Sequence, residues 1–579
     1  MKKIVLPVLL ALASLAAPLA SQAQTACPAT ASNVVTVAAQ TITTNTTWTR
    51  NNIYLLNGFV YVDNNATLTI EPGTIIKGDL TNKGSLIIRQ GAKINAAGTA
   101  TQPIVFTSNQ PAGLRAPGDW GGIILLGRAP QNLPGTPTIE GGVVGTFGGN
   151  DPLDNSGVMQ YVRIEFPGVS FIQDSEINGL TLGGVGAGTT IDHIQVTASG
   201  DDSFEWFGGT VNAKYLIAMA GTDDDFDTDN GFSGRVQFGV AVRDPQRGDY
   251  PNSGVSNGFE SDNDATGTAN TPQTSAVFSN MTVIMPDQTT YAAPFASAAG
   301  ALIRRNSAES IFNSVFANRR YGVVLNSNSA NLTTANAASN ALQLQNNVFA
   351  GYTPLPGRVA RVTSSAGNTA GFNINTFIGS SNDTTRTVAG LGLNADNFQF
   401  NGACGNNKQC APNFGLPTAS ALNTGAAFTS AKLTSAGIGV NSTFDVVSFR
   451  GAFGPAGTAQ ANWATGWTNF NPQITCYNTP GAVLANREVV SAPLQALTVS
   501  PNPTDGTAAT LGFDVKTATT ATVRVVDMMG REVAVVLNGG KLSAGPQRLL
   551  LPATLAPGMY LATVTTGDMV QSVRFVVAK

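Results

Sequence analysis

Short alternating segments recur through the middle of this chain and share one position. They read MQYVRIEF from residue 159, IDHIQVTA from 191, AKYLIAMA from 213, VQFGVAV from 236, SNMTVIM from 279, FNSVFAN from 312, QNNVFAG from 345 and INTFIGS from 374. The shared position holds Tyr161, His193, Tyr215, Phe238, Asn280, Asn313, Asn346 and Asn375. The intervals are 32, 22, 23, 42, 33, 33 and 29 residues, a base period of about 22 with loop insertions, which is the spacing of a solenoid. An earlier pair, TLTIEPGTII from residue 67 and SLIIRQGAKI from residue 85, matches at an offset of 18. Strands put alternate side chains on opposite faces. A single strand repeat cannot bury its apolar face, so such repeats must stack on one another. The expected fold is all-β: a right-handed parallel β-helix over residues 24–476. A recurring asparagine suits it, because Asn tolerates left-handed turn geometry. A β-sandwich array and a propeller are the rivals, and no blade signature recurs for the latter.

Charge excludes several function classes. Charged residues are 12% of the chain, about half the usual ~25%. Lys and Arg number 32 against 35 Asp and Glu, a net charge of −3. That balance offers no basic excess to neutralise phosphates, so no nucleic-acid partner is expected. One histidine, His193, makes a His-rich zinc or iron enzyme untenable. In its column His193 reads as a turn or stacking residue; as a general base it needs a carboxylate, and Asp192 adjoins it.

The two ends carry other signals. Residues 1–23 combine Lys2 and Lys3, an apolar run and a small-residue cleavage site at Ser21 and Ala23, the pattern of a secretory signal peptide. No later stretch has 18 consecutive apolar residues, so no transmembrane segment is expected. Export places Cys27, Cys404, Cys410 and Cys476 in an oxidising compartment, where disulfides form. Three pairings exist; the locally cheapest joins Cys404 to Cys410 across a small loop and Cys27 to Cys476 across the main domain. A zinc site is the alternative, although no CxxC pair is present. Residues 477–496 read as a linker. From 497 to 579 short alternating strands separated by turn signals suggest a small immunoglobulin-like β-sandwich.

Acidic residues gather in one place. DDSFEWFGG from residue 201 and DDDFDTDNG from residue 223 align 22 residues apart, one coil, and GFESDND from 258 extends the alignment with Phe259 below Phe226 and Glu260 below Asp227. Stacked carboxylates repel unless a cation or proton intervenes. Ca2+ takes six to eight oxygen ligands, and Asp201, Asp202, Glu205, Asp223, Asp224, Asp225, Asp227 and Asp229 are the candidate ligands. The spacing is not that of an EF-hand. Solvated turn aspartates are the plainer reading. An enzyme reading pairs the carboxylates, Glu205 among them, as acid and base of a glycoside hydrolase. Alternatively Lys214 or Arg235 serves as the base of a Ca2+-assisted lyase. Trp206 and Trp120, if exposed, stack on sugar rings.

Two resemblances add to these readings. LTVSPNPTDG from 497, VVDMMGREV from 525, LAPGMYLATV from 555 and the final VRFVVAK resemble the C-terminal sorting domain of type IX secretion cargo from Bacteroidota. That resemblance implies export by the type IX machinery, followed by release or attachment at the outer cell surface. GDWGGIILLGRAP, DNSGVMQYVRIEF, EINGLTLGGVG, DDSFEWFGGTVNAKYL, DDDFDTD and GWTNFNP resemble exported Bacteroidota proteins with a pectate-lyase-like β-helix. The polygalacturonase pattern NTD…DD…GHG is incomplete, with no GHG. The functional expectation is a secreted or surface β-helix protein with structural Ca2+ and a polysaccharide or surface partner. A lyase or hydrolase acting on an acidic glycan, or a structural adhesin, stands as the alternative.

Overall fold

The computed structural model describes residue 27 and residues 33–172, 175–244, 248, 256–285, 298–327, 330–352, 358–363, 368–394, 413–481, 494–505, 509–515, 518–527, 531–566 and 569–578. The expected leader, and Cys404 and Cys410, lie outside them. The chain divides into two compact units, residues 1–486 and 487–579.

The first unit is a parallel β-helix in which 25 short strands form one continuous hydrogen-bonded sheet. One coil shows the plan. Residues 190–192 of strand Thr190–Thr197 lie on a first face. The chain bends at His193, and residues 194–197 run along a second face. After a turn, strand Phe204–Phe207 forms a third face, and strand Ala213–Met219 begins the next coil. Pairing is parallel and in register: Ile191 on Ala213, Ile194 on Leu216, Phe204 on Phe226.

The bend explains the recurring column. Tyr161, His193, Tyr215, Phe238, Asn280, Asn313 and Asn346 all have φ between 50° and 62°, where most side chains are strained. Two devices offset the strain. In the upper coils the rings stack, with Tyr161–His193, His193–Tyr215 and Tyr215–Phe238 centroids 4.3, 4.4 and 5.3 Å apart. In the lower coils asparagine tolerates the geometry and bonds outward; the Asn280 Nδ2 donates to the Phe449 carbonyl at 2.9 Å. His193 is thus a turn-and-stack residue, its Nδ1 against the Asp192 carboxylate.

Two expectations need correction. Asn375 does not continue the column, because Ile374–Gly379 is a short α-helix capped by Asn373. The 18-residue offset also joins different faces rather than successive coils. Leu68 stacks on Ile94, 26 residues on, while Leu86 stacks on Val60 and Ile123. All three faces carry the same alternation, so self-similarity alone cannot tell one face from another.

The interior is one apolar column; Leu216, Phe204, Phe226 and Phe259 are among its fully buried members. The second face is also apolar outside. Ile217, Met219, Val240 and Val242 are covered by Phe414, Phe453, Trp463 and Trp467 from residues 413–481, which fold back over the coils. Tyr477, the first residue of the expected linker, is fully buried against Ile53, Ile75 and Val105. The neighbouring Cys476 is disulfide-bonded to Cys27, with Cα atoms 5.4 Å apart. No described helix is long and apolar enough to cross a membrane.

The second unit has a three-stranded antiparallel sheet (Leu494–Ser500, Thr510–Val515, Gly545–Leu550) and a four-stranded one (Glu532–Leu542, Thr519–Asp527, Gly558–Thr566, Met569–Val577). Inward residues such as Leu511, Val523, Val525, Ala562 and Phe575 form its core, as in a β-sandwich.

Candidate metal centre

The third face builds the site by strict alternation. In FEWF, FDTD and FES the leading phenylalanines, Phe204, Phe226 and Phe259, point inward and lie one on another, with Phe204–Phe226 and Phe226–Phe259 centroids 5.7 and 5.2 Å apart. The intervening acids must then point outward. In-register pairing sets Thr181, Glu205, Asp227 and Glu260 in one column, about 4.8 Å per step. The turn entering this face adds a second column in which each side chain caps the next coil. Asp202 Oδ1 accepts the Asp224 N–H at 2.7 Å, Asp224 Oδ1 accepts the Asn257 N–H, and Asn257 Oδ1 accepts the Ala299 N–H at 2.9 Å.

These columns bring three groups of carboxylates together. Ligand oxygens lie within 4.8 Å of one another in Asp201, Asp202 and Asp223, in Asp202, Glu205 and Asp227, and in Asp224, Asp227 and Glu260. Asp202 and Asp227 are shared, so the groups form a continuous string. Burial, reinforced by neighbouring carboxylates, holds Asp202, Glu205 and Asp227 well above the usual carboxylate range. Glu260 is raised likewise by burial, even against Arg304. Burial and Asp262 push Asp229 up to about 8, and burial and Glu176 push Glu140 up to about 7.

Neutral oxygens complete the surroundings. Asn178 donates through Nδ2 to Glu205, while its own Oδ1 is buried with no hydrogen-bond partner. Thr181 Oγ1, stacked directly on Glu205, and Asp227 Oδ1 are orphaned in the same way. Buried polar atoms in native proteins are rarely left so. Neither Asn178 nor Thr181 was legible as a site residue; only the coil alignment of Thr181 with Glu205 points to the latter.

Other candidates fall elsewhere. Asp225 is fully buried between two arginines, 3.2 Å from Arg243 and 3.0 Å from Arg319, so its charge is already matched and it stands outside the three groups. Asp229 accepts the Asn230 N–H and stands outside the three groups. Lys214 pairs with Asp445 at 2.9 Å. Arg235 bonds Ser435 and Ser442 and lies 5.4 Å over the Phe444 ring. Both basic residues begin the first face, under residues 413–481, away from the acids. Trp120 and Trp206 are fully buried inside the coils and offer no sugar platform. At the lower end Arg304 contacts Glu260 and bonds Asp262 at 2.9 Å, and Arg305 bonds Asp262 at 2.6 Å.

A family model described as a pectate-lyase like beta helix domain matches residues 40–403, well over half of the chain. No curated protein matches it. Among solved structures it is similar to the full-length tailspike protein 2 from Escherichia coli O157:H7 bacteriophage CAB120, at 11% identity and a TM-score of 0.21. That match covers 91% of this chain and 65% of the tailspike chain.

Proposed function

This chain belongs to the pectate-lyase-like β-helix family, and from that premise we propose that it is a secreted or cell-surface scaffold that holds Ca2+ on its third face and contacts polysaccharide. The observation that carries the cation is the set of orphaned oxygens of Asn178, Thr181 and Asp227 beside the shared carboxylates Asp202, Glu205 and Asp227. Hard oxygen donors in excess, with no thiolate or imidazole among them, suit Ca2+. The ion supplies positive charge that the stacked carboxylates lack and ties adjacent coils together. The leader and the sorting-domain resemblance support export by the type IX machinery to the outer surface.

A structural cation is favoured over catalysis. A lyase needs a free base beside the ion, and Lys214 and Arg235 are engaged elsewhere. Arg304 is tied to Glu260 and Asp262. A hydrolase needs carboxyl groups roughly 5–9.5 Å apart around an accessible bond; the groups of the string approach within 4.8 Å, and Glu205 is buried. Calorimetric titration of the full chain with Ca2+, followed by thermal melts with and without chelator, tests the cation. Heat of binding and a higher melting temperature are expected, both reduced in Asp227→Asn. No heat and no thermal shift removes the proposal.

A further inference from the structure

The connection from strand Ile123–Leu126 to strand Gly157–Glu165 is long and lies over the upper coils of the third face. Its middle part, residues 130–149, reads PQNLPGTPTIEGGVVGTFGG. Ile139, Val143 and Phe147 pack on Ile87, Ile124 and Leu126, apolar side chains on the outside of the coils. A bridge between Thr138 and Thr146 ties the two arms of the loop together. The arms meet at Gly141 and Gly142, with φ of 71° and 70°. A Cβ on Gly141 would lie 2.3 Å from the Ile177 side chain, so the tip is seated closely on the coil.

Glu140 is the only charged residue among residues 130–149. The apolar seat has no need of it, yet it faces the acids of the third face. Asn178 hydrogen-bonds Glu140 and also donates through Nδ2 to Glu205. Its amide thus stands between a carboxylate of the loop and a carboxylate of the coils, with Glu176 adding a third charge. Among the described residues neither Glu140 nor Glu205 has a lysine or arginine partner. Such carboxylates repel unless a cation or proton intervenes. Two neutral oxygens adjoin them. Asn178 and Thr181 are each 1% exposed, and Asn178 Oδ1 and Thr181 Oγ1 have no hydrogen-bond partner. Thr181 is paired in register with Glu205.

We propose that a Ca2+ at the upper end of the acidic string is shared by Glu140 and Glu205 and latches residues 130–149 onto the third face. The proposal deepens the cation reading above and rests on it; it adds a ligand from outside the coils and an element that the ion controls. Without the ion, Glu140 is pushed away from Glu205 and only the apolar seat holds the loop. With the ion, both charges are matched and the loop is fastened. Ion binding and loop closure are then linked, and linkage is reciprocal: whatever loosens the loop weakens the ion.

The test combines calorimetric titration of the full chain with Ca2+ and hydrogen exchange read by mass spectrometry, with Ca2+ and with chelator. Peptides covering residues 137–147 are expected to exchange several-fold more slowly with Ca2+. Glu140→Gln is expected to abolish that slowing and to weaken one calcium equivalent by roughly tenfold. Glu140→Asp keeps the charge on a shorter arm and is expected to fall between the two, so a fold defect in the first variant leaves the latch open to test. Phe147→Ala touches no ligand but loosens the seat; faster loop exchange and weaker calcium binding are expected together. Calcium binding without any change in loop exchange overturns the latch and leaves the cation reading in place. Wild-type binding and protection in Glu140→Gln overturns Glu140 as a ligand. Unchanged calcium affinity in Phe147→Ala overturns the coupling. No heat and no thermal shift in the wild type overturns the cation reading and the latch together.

Discussion

Glu309 is a fully buried acid in the coils, and replacing it with glutamine is expected to stabilise the protein progressively as pH rises. Its side chain is fully buried, Oε2 accepts the Thr228 hydroxyl at 2.8 Å, and Oε1 has no partner. Burial, opposed by hydrogen bonds from Thr228 and Ser261, raises its carboxyl from 4.5 to about 8. In the unfolded chain the same group ionises near 4.5, so between these values the folded state holds a proton that the unfolded state has released. Stability therefore falls as pH rises through this window, by about 1.4 kcal/mol per unit. At pH 7 the accumulated cost is about 3 kcal/mol, and it levels off near 5 kcal/mol above pH 8. Glutamine keeps an acceptor for Thr228 and carries no charge. Melting temperatures of wild type and Glu309→Gln are measured from pH 5 to pH 8.5. The variant should match wild type near pH 5 and exceed it increasingly above. Parallel profiles, or a variant that loses ground at pH 8, would refute the reasoning.

Asp225→Asn strands Arg243 and Arg319 in the interior, so a loss of about 3–5 kcal/mol is expected, read as a lower melting temperature with calcium stoichiometry unchanged; a lost calcium equivalent would show that Asp225 is a ligand. Cys476→Ser opens the link to Cys27, and urea unfolding should show the first unit weakened by roughly 2–4 kcal/mol, with earlier proteolysis of residues 413–481. Arg304→Gln removes the guanidinium from Glu260 and Asp262; an added calcium equivalent is expected in equilibrium dialysis, and an unchanged count shows that Arg304 is not holding a cation position.

The same interactions separate what pattern can reveal from what it cannot. Stacking of Phe204 on Phe226 on Phe259, with Glu205, Asp227 and Glu260 beside them, is readable because parallel pairing in register turns a sequence period into a spatial column. The left-handed bend at Tyr161, His193 and Asn280 leaves the same kind of trace. Nothing periodic marks Arg243 and Arg319 as partners of Asp225, 18 and 94 residues away, so its matched charge leaves no trace in the spacing. Lys214 and Arg235 stood close to the acids in sequence, yet a coil turns three times within 22 residues and sets them on another face. Asn178 and Thr181 carry no acidic signal and gain meaning only from the coil below.

By itself, then, the amino-acid order determined the all-β solenoid, its coil length, the coil-to-coil alignment of Phe204, Phe226 and Phe259, and the sandwich-like tail. Each follows from alternation and spacing between neighbours one coil apart. The tertiary structure alone decided which strands share a face, and that residues 413–481 cover the second face. It also decided which carboxylates remain unmatched by arginine. These outcomes depend on contacts across tens to hundreds of residues, where burial and charge balance, rather than period, select the partner.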